Sequence, residues 1–361
     1  MISTLPPVKG ISPYTQELCT ELAKHVKIDF IGFKQIYPEF LYPGGTRIPG
    51  AKAPRIKNLT NRSFLTWYNP FTWIWAGMTS KGDVVHAQWW AWPLAPMYCT
   101  ILAIAKLRGK KIVMTVHNVR MHETHILARA ANWLVIRVAD SYIVHSAANK
   151  TAFSEDTGIS SNVAVVPLGI EPLRLLPRRV DYRAKYGISS SDKVLLFYGN
   201  IRDYKGLDVL IKSLKKLPEY KLLVAGQCWG GFDSYRDLAN RYKVNERIIT
   251  HLGYQSNKKM AELIHLADVA VFPYKFFDAA SAAATTALQH RKAIVVTNLG
   301  SMSELVSDSN AIAKPNSAKD LARAILYAYS NKQKLENESG ELSASLQWSI
   351  IAPRVVEVYN A

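Results

Sequence analysis

The chain has 361 residues, of which 48% are hydrophobic and 20% are charged, and its formal net charge is +17. The length predicts two domains, and the composition excludes an intrinsically disordered chain. The three cysteines form no CxxC pair and no cluster with histidine, which argues against a disulfide framework and structural zinc and fits a reducing compartment.

The positive charge is spread evenly along the chain. Residues 1–172 contain 18 Lys and Arg against 10 Asp and Glu, and the remainder contains 27 against 18. This distribution disfavours a basic nucleic-acid-binding tail and suits a protein that handles anionic small molecules at an anionic surface. The first ten residues lack the pattern of a signal peptide, and polar residues interrupt the most apolar region, 63–95, so no membrane span is predicted.

The first half of the sequence alternates predicted strands with predicted helices. Strands are expected at 1–5, 27–33, 83–88, 110–116, 141–144 and 163–166. Helices are expected at 12–24, 93–107 and 126–138. Because strands alternate with helices over this whole half, a doubly wound parallel sheet is predicted.

The segment after the second predicted strand has little periodicity but a distinctive composition. Its residues 47–62 carry no acid and five cations: Arg47, Lys52, Arg55, Lys57 and Arg62. Six aromatic residues follow: Phe64, Trp67, Tyr68, Phe71, Trp73 and Trp75. Basic residues beside Trp and Tyr are typical of an element that contacts an anionic membrane, which makes residues 47–75 a candidate membrane contact. Core aromatics beside solvated cations are the alternative.

Two residues of the first half lie where open α/β sheets bind ligands. Gly10 ends the first βα turn, where a glycine lets a ligand approach the backbone. His117 ends the predicted strand 110–116. Both residues also fit an ordinary structural role in such a fold.

A linker rich in Pro, Arg and Ser, residues 171–191, leads to a second alternation. Strands are expected at 194–198, 221–225, 248–252, 268–272 and 293–297. Helices are expected at 206–216, 232–241, 257–266, 279–290 and 318–329. Two successive α/β domains imply a cleft between two sets of strand ends.

The stretch 194–206, VLLFYGNIRDYKG, is predicted to be a buried strand, a tight turn at Gly199 and a helix start. Its cations, Arg202 and Lys205, lie in the turn. Cations and backbone N–H groups at a helix start are what an anionic ligand needs. The alternative is an ordinary βα turn with solvated charges.

A second helix start, in 273–296, is rich in small residues. Small side chains there let backbone N–H groups reach a phosphate and leave room for a sugar. Ser281, Thr285 and Thr286 add hydroxyls, and Asp278 is placed to cap the helix or to bind a polyol. The alternative is a close-packed helix that Asp278 caps.

In their order along the chain, these motifs resemble glycosyltransferase family 4, the retaining nucleotide-sugar enzymes of GT-B fold. The matching segments in the first half are PPVKGISPYT (6–15), QIYPEFLYPGG (35–45), DVVHAQ (83–88), TVHN (115–118), ADSYIVHS (139–146) and VVPLGI (165–170). Those in the second half are YGNIRDYKGLDVLI (198–211), LLVAG (222–226), HLGY (251–254), ADVAVFPY (267–274), the 278–296 helix and GSMSEL (300–305).

The resemblance implies roles for particular residues. Arg202 and Lys205 would bind the donor diphosphate, His117 would contact the donor sugar, and Gly10 would approach the phosphate and the acceptor. The donor site would lie within residues 199–306 and include these further residues: Gly199, Gly226, Tyr254, Ser281, Thr285 and Thr286. The family's two acidic positions fall on Asp278 and Thr286, which leaves open whether Thr286 holds the ribose.

The resemblance also implies the architecture: a GT-B fold of two doubly wound Rossmann-like domains that face a central cleft. The first half, residues 1–172, would be the acceptor-side domain, and residues 173–344 would bind the nucleotide sugar. The last segment, 345–361, would be a helix that crosses back to the first domain.

The implied activity is a retaining transfer without a cofactor or a metal, since the sequence has no Asp-x-Asp motif. The acceptor would be lipid-linked or a polysaccharide precursor, at the cytoplasmic face of the cell membrane. An epimerase or hydrolase of the same fold, a degenerate nucleotide-sugar-binding subunit and a basic nucleic-acid-binding protein are the alternatives.

Overall fold

A computed structural model describes residues 1–37, 45–48, 50–119, 126–171, 180–228, 230–276 and 279–361. The chain divides into two compact units. The first consists of Met1–Gly169 together with Gln347–Ala361, and the second of Ile170–Leu346.

The described residues of the first unit form a seven-stranded sheet of order β3-β2-β1-β4-β5-β6-β7. Its strands are β1 (Ile2–Ser3), β2 (Ile28–Gln35), β3 (Leu59–Thr66), β4 (Val84–Trp89), β5 (Lys111–Val116), β6 (Ser141–Val144) and β7 (Val163–Val165). Every pairing is parallel. The strand order reverses direction between β1 and β4, and open sheets bind ligands at the carboxyl ends of such a pair.

The helices of this unit cover both faces of the sheet. They are α1 (Ser12–Leu22), α2 (Pro70–Thr79), α3 (Ala95–Leu107), α4 (Ile126–Ile136) and α5 (Ala147–Thr157). Right-handed crossovers place α1 on one face and α2 to α5 on the other, since the strand order runs in opposite directions from β1 and β4. In agreement, α2 packs on α3, and α3 packs on α4.

The second unit forms a six-stranded parallel sheet of order β10-β9-β8-β11-β12-β13 within the described residues. Its strands are β8 (Lys193–Tyr198), β9 (Tyr220–Gly226), β10 (Ile248–Leu252), β11 (Val269–Phe272), β12 (Ala293–Thr297) and β13 (Ile312–Ala313). Its helices are α6 (Tyr182–Lys185), α7 (Leu207–Ser213), α8 (Asp233–Arg241), α9 (Asn257–Leu266), α10 (Ala282–Gln289), α11 (Ala318–Ser330) and α12 (Lys332–Ser345). The strand order reverses between β8 and β11.

The last helix, α13 (Trp348–Asn360), belongs to the first unit and packs on α1. Its Trp348 ring lies against Gly169, where a Cβ atom would come within 2.1 Å of the ring. At the other end, the Lys111 ammonium donates to the Val358 and Tyr359 carbonyls, each at 3.1 Å.

The prediction of an α/β fold with two doubly wound sheets is confirmed, but several elements differ. The segment without periodicity contains β3 and α2, and α5 and α12 also went unpredicted. The predicted helix 279–290 begins at Ala282, and Ser281 is its N-cap, with its side-chain oxygen accepting from the Ala284 N–H at 3.2 Å. Asp278 lies outside the described residues. None of the helices in the described part of the chain is long and apolar enough to cross a membrane.

Candidate functional site

Glycines bring the ends of three strands in the second unit close together. Gly226, the last residue of β9, has φ +134°, and a Cβ there would lie 1.9 Å from the Gly199 carbonyl oxygen. Gly206, with φ +72°, packs equally closely on the Pro273 carbonyl after β11. Only glycine fits such backbone contacts at positive φ. The β8–α7 turn is thereby fixed at the point where the strand order reverses.

Lys205 is the cation at the centre of this turn. A Cβ on Gly199 would lie 3.1 Å from Lys205 Nζ and 3.7 Å from Ala283 Cβ, so the ammonium lies beside the start of α10. The Tyr274 ring centroid is 5.3 Å from Nζ. Burial lowers the pKa of Lys205, and the nearby charge of Arg202 lowers it further.

Lys205 differs from the next lysine along this edge in its partners. Lys275 pairs with Asp203 at 2.7 Å and with Asp208 at 3.3 Å. Within the described ranges, no carboxylate lies at salt-bridge distance from Lys205 Nζ. A positive charge without such a partner is suited to an anionic ligand.

The hydroxyls at the start of α10 serve the helix itself. Ser281 Oγ lies 3.1 Å from the Tyr274 hydroxyl. Thr285 Oγ1 donates to the Ser281 carbonyl and Thr286 Oγ1 to the Ala282 carbonyl, both at 2.8 Å. In this arrangement neither threonine hydroxyl offers its proton to a ribose.

Of the other predicted residues of the second unit, Tyr254 lies apart from this group, Arg202 lies near Lys205, and Asp278 is not described. Tyr254 follows β10, two strands from β8, and is 81% exposed. Arg202 is half-buried and precedes the short 3-10 turn Asp203–Lys205. Asp278, on which the acidic motif depends, is outside the described residues.

In the first unit, Gly10 has φ +100° and lies between β1 and α1. A Cβ there would be 3.4 Å from Thr4 Oγ1, a buried hydroxyl that has no hydrogen-bond partner among the described residues. Thr4 could not be predicted as a site residue, because a threonine after an apolar strand carries no distinguishing signal in the sequence.

His117 belongs to a buried hydrogen-bonded network that the sequence analysis missed. Its Nε2 lies 2.7 Å from the Gln88 amide, and its Nδ1 lies 3.2 Å from His145 Nε2. Gln88 also contacts His86 Nε2 at 3.1 Å, and His86 Nδ1 lies 2.7 Å from the Tyr359 hydroxyl. Histidines at the ends of β5 and β6, and His86 and Gln88 on one face of β4, were the available signals.

Burial keeps all three histidines of this network neutral. It lowers the pKa of His86 to about 3 and that of His145 to about 4, and it lowers the pKa of His117 well below its usual value. No carboxylate is among the ring partners of these histidines in the described residues. Nor do those residues include a group of three His, Cys, Asp or Glu side chains arranged to hold a metal ion.

The candidate membrane contact separates into an outer and an inner part. Exposed apolar residues of α2 recur at helical spacing: Phe71, Ile74, Trp75 and Met78. Trp67 and Tyr68, just before α2, are also exposed. We call these six residues the α2 outer face. Phe64 and Trp73 instead pack against the core, and Trp73 Nε1 donates to the Thr66 carbonyl at 2.7 Å.

The cations of 47–62 also differ among themselves. Arg62 pairs with Asp29, with Nε donating to Oδ1 at 2.9 Å, and it donates to Thr79 as well. Lys52, Arg55 and Lys57 are exposed and have no acidic partner in the described residues. Arg62 therefore has a structural role, while these three remain available to a surface.

Comparisons with known proteins agree over both halves of the chain. The model of Glycosyltransferase Family 4 matches residues 8–174, and the model of Glycosyl transferases group 1 matches residues 179–341. An uncharacterized glycosyltransferase of Methanocaldococcus jannaschii is 25% identical over 192 residues, 50% of this chain and 48% of that protein. A lipopolysaccharide 1,2-N-acetylglucosaminetransferase of Salmonella typhimurium is 25% identical over 223 residues, 57% of this chain and 58% of that protein.

The chain thus spans about half the length of the curated relatives it matches. Among solved structures, HepE of Anabaena in complex with UDP has a TM-score of 0.76 at 14% identity, over 99% of this chain and 98% of that one. The same protein has also been solved with UDP and glucose, and with UDP-glucose. At this level of identity the likeness shows a shared fold.

Proposed function

We propose that this chain, which belongs to the group 1 glycosyltransferases of the family 4 type and has the GT-B fold, moves a sugar from a nucleotide diphosphate to a lipid-linked or polysaccharide-precursor acceptor. Lys205 is the observation that carries the donor half of this proposal. Its ammonium lies at the reversal point of the sheet, beside the start of α10, without a carboxylate partner in the described residues. A diphosphate would supply the missing negative charge.

The positive charges around Lys205 would allow this transfer to proceed without a metal. As the bond from the sugar to the diphosphate breaks, negative charge grows on the leaving oxygen. Lys205, Arg202 and the N-terminus of α10 would stabilise that charge. The acceptor oxygen would form its bond to the sugar on the face that the diphosphate leaves, and the departing phosphate would take the acceptor proton. The anomeric configuration is then retained.

A thermal-shift screen of nucleotide diphosphates and their sugars tests the donor. We expect one base to raise the melting temperature, because binding to the native state alone adds about 2.7 kcal/mol of stability at a concentration of 100 Kd. UDP and UDP-glucose come first, since HepE has been solved with both. If no nucleotide diphosphate or nucleotide sugar shifts the transition, the proposed donor class is wrong.

Two further measurements distinguish a retaining, metal-independent transfer from the alternative reactions. NMR of the product should show the donor's anomeric configuration, and added EDTA should leave the rate unchanged. An inverted product or an EDTA-sensitive rate would contradict these parts of the proposal. Turnover of the donor without an acceptor would instead favour an epimerase or hydrolase, and binding without turnover would favour a non-catalytic subunit.

We further propose that the protein binds its acceptor at an anionic membrane surface, which it contacts through the α2 outer face. Phe71 is 79% exposed, Trp75 59% and Met78 57%, although α2 is well packed on its inner side. There, Gly77 lies so close to α3 that a Cβ would be 2.7 Å from Ile104 Cβ. A firmly packed helix that presents large apolar side chains to solvent is typical of an interfacial element.

The charge around α2 supports an anionic partner. From residue 40 to residue 122 the sequence has eleven Lys and Arg and a single acid, Asp83. Arg108, from the end of α3, donates to the Gly77 and Ser80 carbonyls at the C-terminal end of α2, at 2.8 and 3.1 Å. An acidic membrane would attract this region at about 1 kcal/mol per nearby cation. The Salmonella relative's name refers to lipopolysaccharide, which is consistent with a lipid-linked acceptor.

Sedimentation with vesicles tests this surface. Wild-type protein should bind vesicles that contain anionic lipid, and Phe71→Ser with Trp75→Ser should lose at least tenfold in binding, since burying one such side chain contributes about 1.5–3 kcal/mol. Leu326→Ser with Ile350→Ser removes exposed apolar residues elsewhere and serves as the control. Equal losses in the two double variants, or unchanged binding in the first, would contradict the assignment.

A further inference from the structure

The hydrogen bonds around His117 define which of its nitrogens carries the proton. His145 Nδ1 lies 2.9 Å from the Val166 carbonyl oxygen, and that oxygen can only accept. His145 therefore has its proton on Nδ1. Since burial keeps the ring neutral, its Nε2 carries a lone pair.

The proton position on His145 determines the proton position on His117. The atom that faces the lone pair of His145 Nε2 is His117 Nδ1, at 3.2 Å, so His117 Nδ1 donates. His117 is neutral as well, and its proton is on Nδ1. Its Nε2 therefore carries a lone pair, whereas neutral histidine in water favours the tautomer with the proton on Nε2. The partner of one nitrogen sets the state of the other.

Gln88 completes the chain of hydrogen bonds on the other side of His117. In the structure its Oε1 lies 2.7 Å from His117 Nε2, and its Nε2 lies 3.1 Å from His86 Nε2 and 3.5 Å from Met1 Sδ. A half-turn of an amide exchanges its oxygen and its NH2 group, so the partners decide the orientation. Neutral rings require the exchanged orientation, in which the NH2 group donates to His117 Nε2 and the amide oxygen accepts from His86 Nε2. The opposite orientation would require one extra proton on the two buried rings of His117 and His145.

The hydrogen bonds at the His86 and Tyr359 end of the network run in the same donor-to-acceptor direction. His86 Nε2 also lies 2.7 Å from Thr115 Oγ1, and its Nδ1 accepts from the Tyr359 hydroxyl at 2.7 Å. Each group between the Tyr359 hydroxyl and the Val166 carbonyl thus accepts from one neighbour and donates to the next. The Tyr14 ring packs edge-on against His117 at 4.8 Å and against His145 at 5.5 Å, which holds both rings in place.

We propose that His145 is a positioning residue for His117: it fixes the proton on His117 Nδ1, so that Nε2 accepts a hydrogen bond from a substrate hydroxyl in exchange for the Gln88 amide. This inference rests on the proposed transferase function for its substrate. It places a hydrogen-bond acceptor, and not a donor, at the carboxyl end of β5. A sugar that presents a hydroxyl there would be bound, and one that lacks that hydroxyl would leave Nε2 with Gln88.

Two substitutions of His145 separate the two bonds that its ring makes. In His145→Gln the terminal amide reaches the place of Nε2, where its oxygen accepts from His117 Nδ1. In His145→Asn the shorter amide reaches only the place of Nδ1, so the bond to Val166 is kept and the acceptor for His117 is lost. Both variants remove the imidazole, so any difference between them reports on the bond to His117.

NMR of protein labelled with 15N-histidine reads the tautomers directly, without any substrate. We expect protonated Nδ1 at His117 and His145 in the wild type, a protonated Nδ1 at His117 in His145→Gln, and a shift to protonated Nε2 in His145→Asn. A wild-type His117 protonated on Nε2, or the same His117 tautomer in both variants, would overturn the inference.

Kinetics provide the second measurement, with a lipid extract as the source of the acceptor and with the donor that the wild type then uses from a panel of UDP-, GDP- and ADP-sugars. His145→Asn should lower kcat about tenfold relative to His145→Gln, the effect of one misdirected hydrogen bond, with KM for the donor little changed. Equal kcat values would overturn the positioning role. If the tautomers are as expected but the wild type turns over no donor in the panel, the tautomer assignment is supported and the proposed function is contradicted.

Discussion

The carboxyl ends of the two sheets bring polar groups together in opposite ways. In the first unit, the three buried histidines, Gln88 and Tyr359 satisfy one another, and burial keeps the rings neutral. In the second unit, Lys205 is a charge without a carboxylate partner among the described residues. The first arrangement is completed by the fold, while for the second we propose completion by an anionic ligand. On that proposal, one edge orients a substrate through hydrogen bonds and the other binds negative charge.

The close backbone contact at Gly226 is the feature of the second site most sensitive to change. Gly226→Ala would force a Cβ to within 1.9 Å of the Gly199 carbonyl, at a positive φ. Steric overlap and backbone strain together should cost about 4 kcal/mol of unfolding free energy. Denaturant unfolding measures the loss, and Gly230→Ala, at a positive φ but with open space around it, is the control. Equal losses in the two variants would show that the close contact does not matter.

Acid should weaken the hydrogen-bonded histidine network of the first unit. Burial lowers the pKa of His145 to about 4 from an ordinary 6.5, so below pH 6.5 the unfolded chain binds a proton that the folded chain does not. Stability therefore falls as the pH drops from 6.5 towards 4, by about 3 kcal/mol for this one histidine.

Hydrogen exchange of the β4, β5 and β6 amides as a function of pH follows this effect in the first unit. His145→Gln should flatten the pH dependence, whereas substitution of the exposed His25 should leave it unchanged. A wild-type protein with equal protection at pH 7 and pH 4.5 would contradict the neutral network.

Much of this architecture follows from the sequence, and the failures have physical causes. The buried run of β8 and the glycines after it predicted the strand and turn that hold Lys205. The helix α2 was missed because its apolar residues lie on both its inner and outer sides, which removes the helical period. The helix α5 was missed because only Asn149 and Phe153 of its residues are buried.

The sequence predicted the positions of the charged and ionisable residues of the candidate site better than their hydrogen-bond partners. Lys205 and His117 could be placed at strand ends because parallel strands end at one edge of a sheet. The partnership of His117 with Gln88 and His145 joins three different strands, and no local pattern in the sequence specifies it. Long-range polar contacts of this kind require the register of the sheet to be known.

Loss of the Lys205 charge should weaken nucleotide binding without unfolding the protein. Lys205→Ala should lower the affinity for a nucleoside diphosphate by about 2 kcal/mol, the usual worth of a hydrogen bond to a charged group. Calorimetric titration measures it, with Lys212→Ala as a control, since Lys212 pairs with Asp208 on α7. If the control loses as much affinity as Lys205→Ala, the effect is one of net charge and the specific site is wrong.

The smallest effect is expected at Thr286. Because its hydroxyl donates to the Ala282 carbonyl within α10, Thr286→Ala should change both stability and nucleotide affinity by less than about 0.5 kcal/mol. The same unfolding and titration experiments apply. A loss above tenfold in affinity would mean that the hydroxyl leaves the helix and binds the ribose.

A crystal structure of the protein with UDP would locate the diphosphate directly. We expect the diphosphate to lie against Lys205 Nζ and the first turn of α10, beside Gly199. A diphosphate bound at another place in the second unit, with Lys205 making no contact to it, would show that Lys205 does not form the donor site.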